Sequence, residues 1–250
     1  MESNPSSMPP SLPEKSNGKR RYMMLIIFAG AAIILAAVLI ALMPRSQDQI
    51  PGVVVGTVYP ITPRPRPMAN GTAAGDPKAK VRIDVYEDFQ CPACREYTLS
   101  LEPQLMRNEV ATGQIYYVFH SFLIIDRATW DSPVKESHQA ADAAMCAAAQ
   151  NRFWDYHDIL FNNWTGENVG DFTDPRLAAY AQSLDLDMKK FTACFLANTF
   201  KSKIDGDIAA ATKLGVDGTP SIFVNGVQVT PGYIPTYDLI LQAVAAAEAK

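Results

Sequence analysis

The chain has 250 residues, a formal net charge of −4 and 48% hydrophobic residues. This balance argues against a nucleic-acid partner, because a phosphate-binding domain normally carries a concentrated basic surface. The length allows one or two globular domains. The N-terminal part differs in composition from the rest and takes up some of that length.

A long apolar run lies near the N-terminus. Residues 22–43 read YMMLIIFAGAAIILAAVLIALM, without a charge or a proline. A helix that crosses a bilayer core of about 30 Å needs about 20 apolar residues, so the run predicts one transmembrane helix and not a buried core helix. A cleaved signal peptide is the alternative, with a shorter apolar region that ends in small residues. Here Pro44 and Arg45 follow the run, which favours an uncleaved signal anchor.

The charges beside this run predict its orientation. Basic residues are concentrated before it, at Lys15, Lys19, Arg20 and Arg21. By the positive-inside rule, residues 1–21 form a cytoplasmic tail and the chain after residue 43 lies outside. We therefore expect a single-pass protein of the cell membrane. Its extracytoplasmic domain would occupy a compartment in which disulfides form and persist.

Residues 44–77 are rich in proline and include the stretch PRPRP at 63–67. Such a stretch favours the extended polyproline II conformation, so the segment predicts a semi-rigid linker. Its middle, residues 53–59, is compatible with an added edge strand, which the sequence leaves open. The globular domain is then predicted over residues 78–250.

The patterns within this domain predict strands and helices in a mixed order. They are a strand at 81–86, a helix from 91 to about 108 with a kink at Pro103, a strand at 114–122, several helices over 134–204, a hairpin of strands at 221–224 and 227–229, and a helix at 236–249. Without the helical block a small α/β unit remains. The two halves form one sheet only if the block, about 130–204, is an insertion packed beside it.

The motif Cys91-Pro92-Ala93-Cys94 directly follows a predicted strand and opens a predicted helix. The first sulfur would lie at the helix N-terminus, where unpaired N–H groups and the helix dipole stabilise a thiolate. Cys91 is therefore predicted to be the nucleophile of a redox disulfide, and Cys94 its resolving partner. The two residues between them, Pro92 and Ala93, would modulate the redox behaviour.

The CxxC motif is compatible with two other kinds of site. A zinc site is disfavoured, because no second CxxC occurs and His138 and His157 lack ligand spacing, so we expect no metal. A purely structural bridge is disfavoured, because a disulfide within one helical turn restrains almost no chain.

A second motif, Gly218-Thr219-Pro220-Ser221, precedes the predicted hairpin. CPAC after a strand, with GTPSIFVNG much later, resembles the thioredoxin-fold oxidoreductases. The long helical insertion makes residues 78–250 look like the DsbA-like branch. This resemblance implies a cis-proline at Pro220 beside the redox pair, with Thr219 as the neighbour whose backbone meets an extended substrate.

The sequence departs from that family at one position. Many relatives carry a buried acid six residues before the first cysteine, which assists proton transfer from the second, and here that residue is Val85. Asp84 is one residue off and would point to the opposite face of the strand. Glu87 and Asp88 lie closer to the motif and are candidates for the proton relay.

The remaining cysteines, Cys146 and Cys194, fall in separate predicted helices of the insertion. Their apolar neighbours are compatible with two buried free thiols. An oxidising compartment favours a structural disulfide between them, and some DsbA-like proteins do carry a second disulfide in the insertion.

The resemblance implies an oxidase that introduces disulfides into unfolded or reduced secreted and membrane proteins. A DsbB-like or VKOR-like membrane partner would re-oxidise it, and no cofactor is expected. A reductase or isomerase of the same fold would use the same two cysteines and differ in redox potential. A non-enzymatic thiol-dependent binding module is the third hypothesis.

Overall fold

The structure is a computed structural model, and it describes residues 56–128 and 135–250. The predicted tail at 1–21 and the predicted anchor at 22–43 lie outside these residues. Among the helices of 56–128 and 135–250, none has the length and apolar character needed to cross a membrane.

Five strands form one sheet: β1 (Ala73–Ala74), β2 (Val81–Glu87), β3 (Ile115–Ser121), β4 (Ser221–Val224) and β5 (Val227–Gln228). The described helices are α1 (Pro92–Ser100), α2 (Glu102–Leu105), α3 (Ile124–Ala128), α4 (Glu136–Ala148), α5 (Phe153–Asn163), α6 (Asp174–Ser183), α7 (Met188–Leu196), α8 (Lys201–Lys213) and α9 (Tyr237–Glu248). A π-helical segment, Met106–Val110, continues α2.

The sheet has the order β1-β3-β2-β4-β5. β2 and β3 are parallel, joined through α1 and α2, and the other neighbours are antiparallel. Between β2 and β4 the register pairs Tyr86 with Ser221. This register brings the segment after β2, which leads to Cys91, beside the segment before β4, which contains Pro220. The predicted thioredoxin-like α/β fold is confirmed.

The helical insertion runs from α3 to α8 between β3 and β4, so it is longer than the predicted 130–204. Its main helices bury apolar and aromatic side chains in one core with the sheet. A disulfide joins Cys146 of α4 to Cys194 of α7, which lie 48 positions apart in sequence and whose Cα atoms are 5.8 Å apart.

The helix that follows the CxxC motif is shorter than predicted. α1 ends at Ser100, and α2 starts at Glu102 with Pro103 in its first turn. Proline lacks the N–H that would bond to the carbonyl four residues earlier, and its ring crowds that carbonyl. The predicted kink is therefore a break between two helices.

The domain begins before residue 78, which corrects the predicted linker boundary. Ala73 and Ala74 form β1 on the edge of the sheet against β3. The backbone N–H of Tyr59 donates to Asn163 Oδ1 at 2.7 Å. The described chain at 56–60 forms no strand, and the edge strand β1 lies after the proline-rich stretch. We call residues 59–67 the N-terminal arm.

The predicted hairpin turn between β4 and β5 has left-handed backbone angles at both central residues. Asn225 has φ +47° and Gly226 has φ +79°. Two positive φ angles define a type I′ turn, whose twist matches that of the flanking strands. Asn225 Oδ1 also accepts a hydrogen bond from the N–H of Arg82 at 2.7 Å, which ties the turn to the start of β2.

Candidate active site

The two cysteines of the CxxC motif lie at the start of α1 as free thiols. Cys91 is the N-cap residue, and Pro92 occupies the first helical position, where its missing N–H removes no hydrogen bond. Cys94 lies one turn in and is completely buried, whereas Cys91 is 7% exposed. An attacking thiol therefore reaches Cys91 first.

The environment of Cys91 stabilises its thiolate. A hydrogen bond from the Cys94 thiol is the main cause that lowers its pKa, to about 6, and burial opposes this. The Thr219 side chain and the backbone N–H groups of Cys94 and Ala93 lower it further. In its neutral form the thiol donates to the Thr219 carbonyl, with Sγ to O 3.3 Å.

The pKa of Cys94 is shifted in the opposite direction. Burial is the main cause that raises its pKa well above the usual value, and the hydrogen bond to Cys91 and the charge of Glu87 raise it further. One thiol of the pair is therefore ionised near neutral pH and the other keeps its proton. This asymmetry matches the roles of nucleophile and resolving thiol.

The low pKa of Cys91 predicts a pH dependence of the reduced protein. Its alkylation rate should titrate with a midpoint near pH 6, the value set by its pKa of about 6. Because folding lowers this pKa, the Cys91 thiolate stabilises the folded protein. This stabilisation is complete at pH values above the pKa of the unfolded state, and it is lost as the pH falls through the pKa of the folded state. Between pH 8 and pH 5 the loss is about 2.5 kcal/mol.

The measurement is the free energy of unfolding of the reduced wild type minus that of Cys91→Ala, as a function of pH. The difference removes groups that titrate in both proteins, among them Asp88, whose buried carboxyl has a pKa raised to about 7. An alkylation midpoint near pH 9 would contradict the expectation.

Thr219 and Pro220 lie across from the cysteines, directly before β4. The Thr219–Pro220 peptide bond is cis. The hydroxyl of Ser221 donates to the Gly218 carbonyl at 2.9 Å and closes this turn. The two residues singled out in the sequence are thus brought to the redox pair by the β2–β4 register.

The position six residues before Cys91 contributes no acid. Val85 is buried, and Asp84 points to the other face of the sheet, where His120 Nε2 lies 2.7 Å from its Oδ1. Glu87 is two residues after Val85 and therefore shares its face, because side chains alternate along a strand. This is the face that packs on α1 and the cysteines.

Glu87 is 1% exposed, and its Oε2 lies 3.4 Å from the hydroxyl of Thr98 on α1. Burial is the main cause that raises its pKa well above the usual value, followed by the charges of Glu102 and Cys91. A buried carboxyl group that favours its protonated form and acts on the charge of Cys94 is suited to give a proton to a departing thiolate.

Asp88, the other candidate for the relay, has a different place. Its Oδ1 accepts from the N–H of Gln90 at 2.9 Å, and its Oδ2 accepts from the N–H of Ile125 at 2.9 Å. It fastens the loop before Cys91 to the start of α3. The structure thus separates the two acids, because neighbouring residues at a strand end point to opposite sides.

Gln90, directly before the nucleophile, was not singled out by the sequence. Its side chain accepts from the N–H of Asn168 at 2.6 Å and donates to Ser137 Oγ at 2.9 Å. Its backbone carbonyl accepts from Trp164 Nε1 at 2.9 Å. Gln90 thus ties the CxxC loop to the insertion. No motif signals it, since its partners are 47 or more positions away in sequence.

Comparison with known proteins decides the family. A family model described as thioredoxin matches residues 68–242, which is most of the chain. The chain belongs to the thioredoxin family. The match starts before residue 78, in agreement with the earlier start of the domain.

Two relatives match the chain in sequence. A probable disulfide bond formation protein D of Bacillus cereus is 27% identical over 64% of this chain and 72% of its own length. A Na(+)/H(+) antiporter NhaA 3 of Salinispora tropica is 32% identical over 61% of this chain, but the match spans 21% of the antiporter.

Among solved structures, oxidised BdbD from Bacillus subtilis superposes with a TM-score of 0.63 at 19% identity. The match covers 77% of this chain and 100% of BdbD. At this identity the likeness shows the fold alone.

Proposed function

We propose that this chain is an extracytoplasmic thiol–disulfide oxidase that works through a Cys91–Cys94 disulfide. The observation that carries the proposal is the pair of free thiols at the start of α1, with Cys91 Sγ 3.3 Å from the carbonyl of Thr219. The opposite pKa shifts of the two thiols support it. A stable thiolate at Cys91 makes it a good leaving group. Backbone beside a cis-proline offers groups that can pair with an extended substrate.

In the oxidase direction, a substrate thiolate attacks Cys91 Sγ of the oxidised protein. The Cys91–Cys94 bond breaks, and Cys94 leaves as a thiolate that takes a proton from Glu87. The second thiolate of the same substrate then attacks the substrate sulfur of the mixed disulfide, and Cys91 leaves as a thiolate. Two electrons have moved from the substrate dithiol to the protein. Of the two protons of the substrate dithiol, one has reprotonated Glu87 and the other has gone to solvent.

The thiolate also favours the oxidase over the reductase or isomerase. Stabilising Cys91 as a thiolate stabilises the reduced protein, and this raises the reduction potential. A pKa of about 6 in place of 9.0 favours the reduced form about tenfold at pH 7, which corresponds to about 30 mV for a two-electron couple.

The sequence supports the location and the partners proposed here. The apolar run at 22–43 and the basic residues before it support a single-pass anchor with the domain outside the cytoplasm. The substrates would be reduced secreted or membrane proteins. A DsbB-like or VKOR-like membrane protein would restore the disulfide. The name of the Bacillus cereus relative, a disulfide bond formation protein, supports the same direction.

The test is the reduction potential of the full chain, together with the redox state of Cys91 and Cys94 in cells. An oxidase should have a potential well above the roughly −270 mV of thioredoxin and be found oxidised. A thioredoxin-like potential with both thiols reduced in cells would establish the reductase instead. A thiol-dependent binding module would bind its partners without turning over disulfides, whereas an enzyme of either direction would show a turnover that Cys91→Ala abolishes.

A further inference from the structure

The N-terminal arm inserts two arginines into the domain. The side chain of Arg66 is 3% exposed, and its Nη2 lies 2.5 Å from Glu102 Oε1 and 3.0 Å from Asp158 Oδ1. Its guanidinium also lies over the ring of Trp154, 4.9 Å from the centroid. A cation buried to this extent belongs to the core of the domain and not to a free spacer.

Arg64 pairs with Asp158 as well, from a more exposed position than Arg66. Its Nε donates to Asp158 Oδ2 at 2.8 Å, and its Nη2 pairs with the other oxygen of Asp158. Its Nη1 donates to the backbone carbonyl of Thr98 at 2.8 Å. The arm is therefore attached both to α5 and to α1, the helix that carries the cysteines.

The buried side chains of Glu102 and Asp158 need the arginines of the arm as counter-ions. Glu102 is completely buried at the start of α2, and Asp158 is 5% exposed. A buried charge is costly unless it is paired. The hydrogen bond and the charge of His157, followed by the pairing with Arg64 and Arg66, hold the pKa of Asp158 far below its usual range against the effect of burial. The proline-rich stretch thus supplies the counter-ions of acids that lie 36 or more positions later in sequence.

The contacts of Arg64, Arg66 and Glu102 extend toward Cys91 and Cys94. Thr98 contacts both the N-terminal arm and Glu87. Its carbonyl accepts a hydrogen bond from Arg64, and its hydroxyl lies 3.4 Å from the carboxyl group of Glu87. After burial, the charge of Glu102 is the largest cause that raises the pKa of Glu87, and the charge of Arg66 opposes it. Glu87 in turn raises the pKa of Cys94.

We propose that Arg66 is a positioning residue for the redox reaction: held by the N-terminal arm beside Glu102, it sets the charge around Glu87 and, through Glu87, the proton exchange of Cys94. The inference rests on the proposed function of the same site. The groups around Glu87 that titrate or carry charge are Cys91, Cys94 and Tyr97 from α1, Glu102 from α2, Tyr117 from β3 and Arg66 from the arm.

The experiment follows Cys94 directly. The full chain is prepared with glutathione as a mixed disulfide on Cys91, and the rate at which Cys94 displaces it is measured against pH. In this step the Cys94 proton passes to the Glu87 carboxylate, the Cys94–Cys91 bond forms and glutathione leaves as a thiolate. The rate therefore rises as Glu87 ionises, and its pH midpoint reports the charge around Glu87.

Two single variants should move this midpoint in opposite directions. Arg66→Met removes the cation, so Glu87 ionises at higher pH, and at pH values below the midpoint the rate falls about tenfold for each pH unit by which the midpoint rises. Glu102→Gln removes the competing carboxylate, so the midpoint moves to lower pH. The double variant Arg66→Met/Glu102→Gln should return toward the wild-type midpoint, and it carries the test if Arg66→Met alone does not fold.

Two controls separate this role from a structural one. In a Glu87→Gln background, Arg66→Met should no longer move the profile. Arg82→Met removes an arginine that is paired with Asp84 on the opposite face of the sheet, and it should leave the profile unchanged. A loss of stability without opposite shifts of the midpoint would mean that Arg66 only holds the fold.

The outcomes distinguish the inference from the function on which it rests. If the wild type exchanges no disulfide with glutathione, the proposed function fails. If the wild type exchanges and Arg66→Met and Glu102→Gln shift the midpoint in the same direction or not at all, the inference is overturned while the function stands. Opposite shifts that vanish in Glu87→Gln support it.

Discussion

A Cys94→Ala variant should accumulate covalent mixed disulfides with its substrates through Cys91. In the wild type, the mixed disulfide at Cys91 can be resolved by attack of Cys94, which is buried directly beneath it. Removing that thiol leaves the first exchange possible and the internal release impossible. Trapped complexes should be visible on non-reducing gels of cells that express the variant and should disappear on reduction.

The same substitution should weaken the nucleophile. The hydrogen bond from Cys94 is the main cause that lowers the pKa of Cys91, so Cys94→Ala should move the alkylation midpoint of Cys91 upward. Cys91→Ala is the matched control and should trap nothing, with turnover reduced to background. Complexes that persist in Cys91→Ala would show that the partners are bound by another part of the chain.

Removing the disulfide of the insertion should cost about 4 kcal/mol of folding stability. Cys146 and Cys194 lie 48 positions apart, so their bridge closes a long loop. In the chain-entropy model a loop of this size restrains the unfolded chain by about 4 kcal/mol. That is a large share of the roughly 5–15 kcal/mol that stabilises a typical protein. The bridge also fixes α7 to α4, which lies in the core.

The loss is measured best by urea unfolding of Cys146→Ala/Cys194→Ala against its parent, both in a Cys91→Ala/Cys94→Ala background. This background leaves the structural bridge as the one disulfide that differs. Treating the parent with reductant should lower its stability to that of the variant. A loss of less than about 1 kcal/mol would show that the reduced insertion already holds its structure by packing.

The sequence by itself determined where the two cysteines of the CxxC motif lie and which elements carry them. A strand followed by CPAC predicts cysteines at a helix start, because local backbone groups and the fixed angle of Pro92 decide that geometry. The Asn225-Gly226 turn is equally local, since both residues tolerate positive φ. The alternation of a strand also contained the signal that Glu87 shares a face with Val85, whereas Asp88 does not.

Only the tertiary structure decided what surrounds that pair. PRPRP predicts an extended segment, but a local pattern cannot show that Arg66 reaches Glu102 and Asp158, which lie far along the chain. The same holds for Gln90 and its partners in the insertion. The local preferences of a residue follow from its neighbours in sequence. The charge that acts on a buried group such as Glu87 depends on which distant side chains the fold packs beside it, in a low-dielectric interior where their effects are strong.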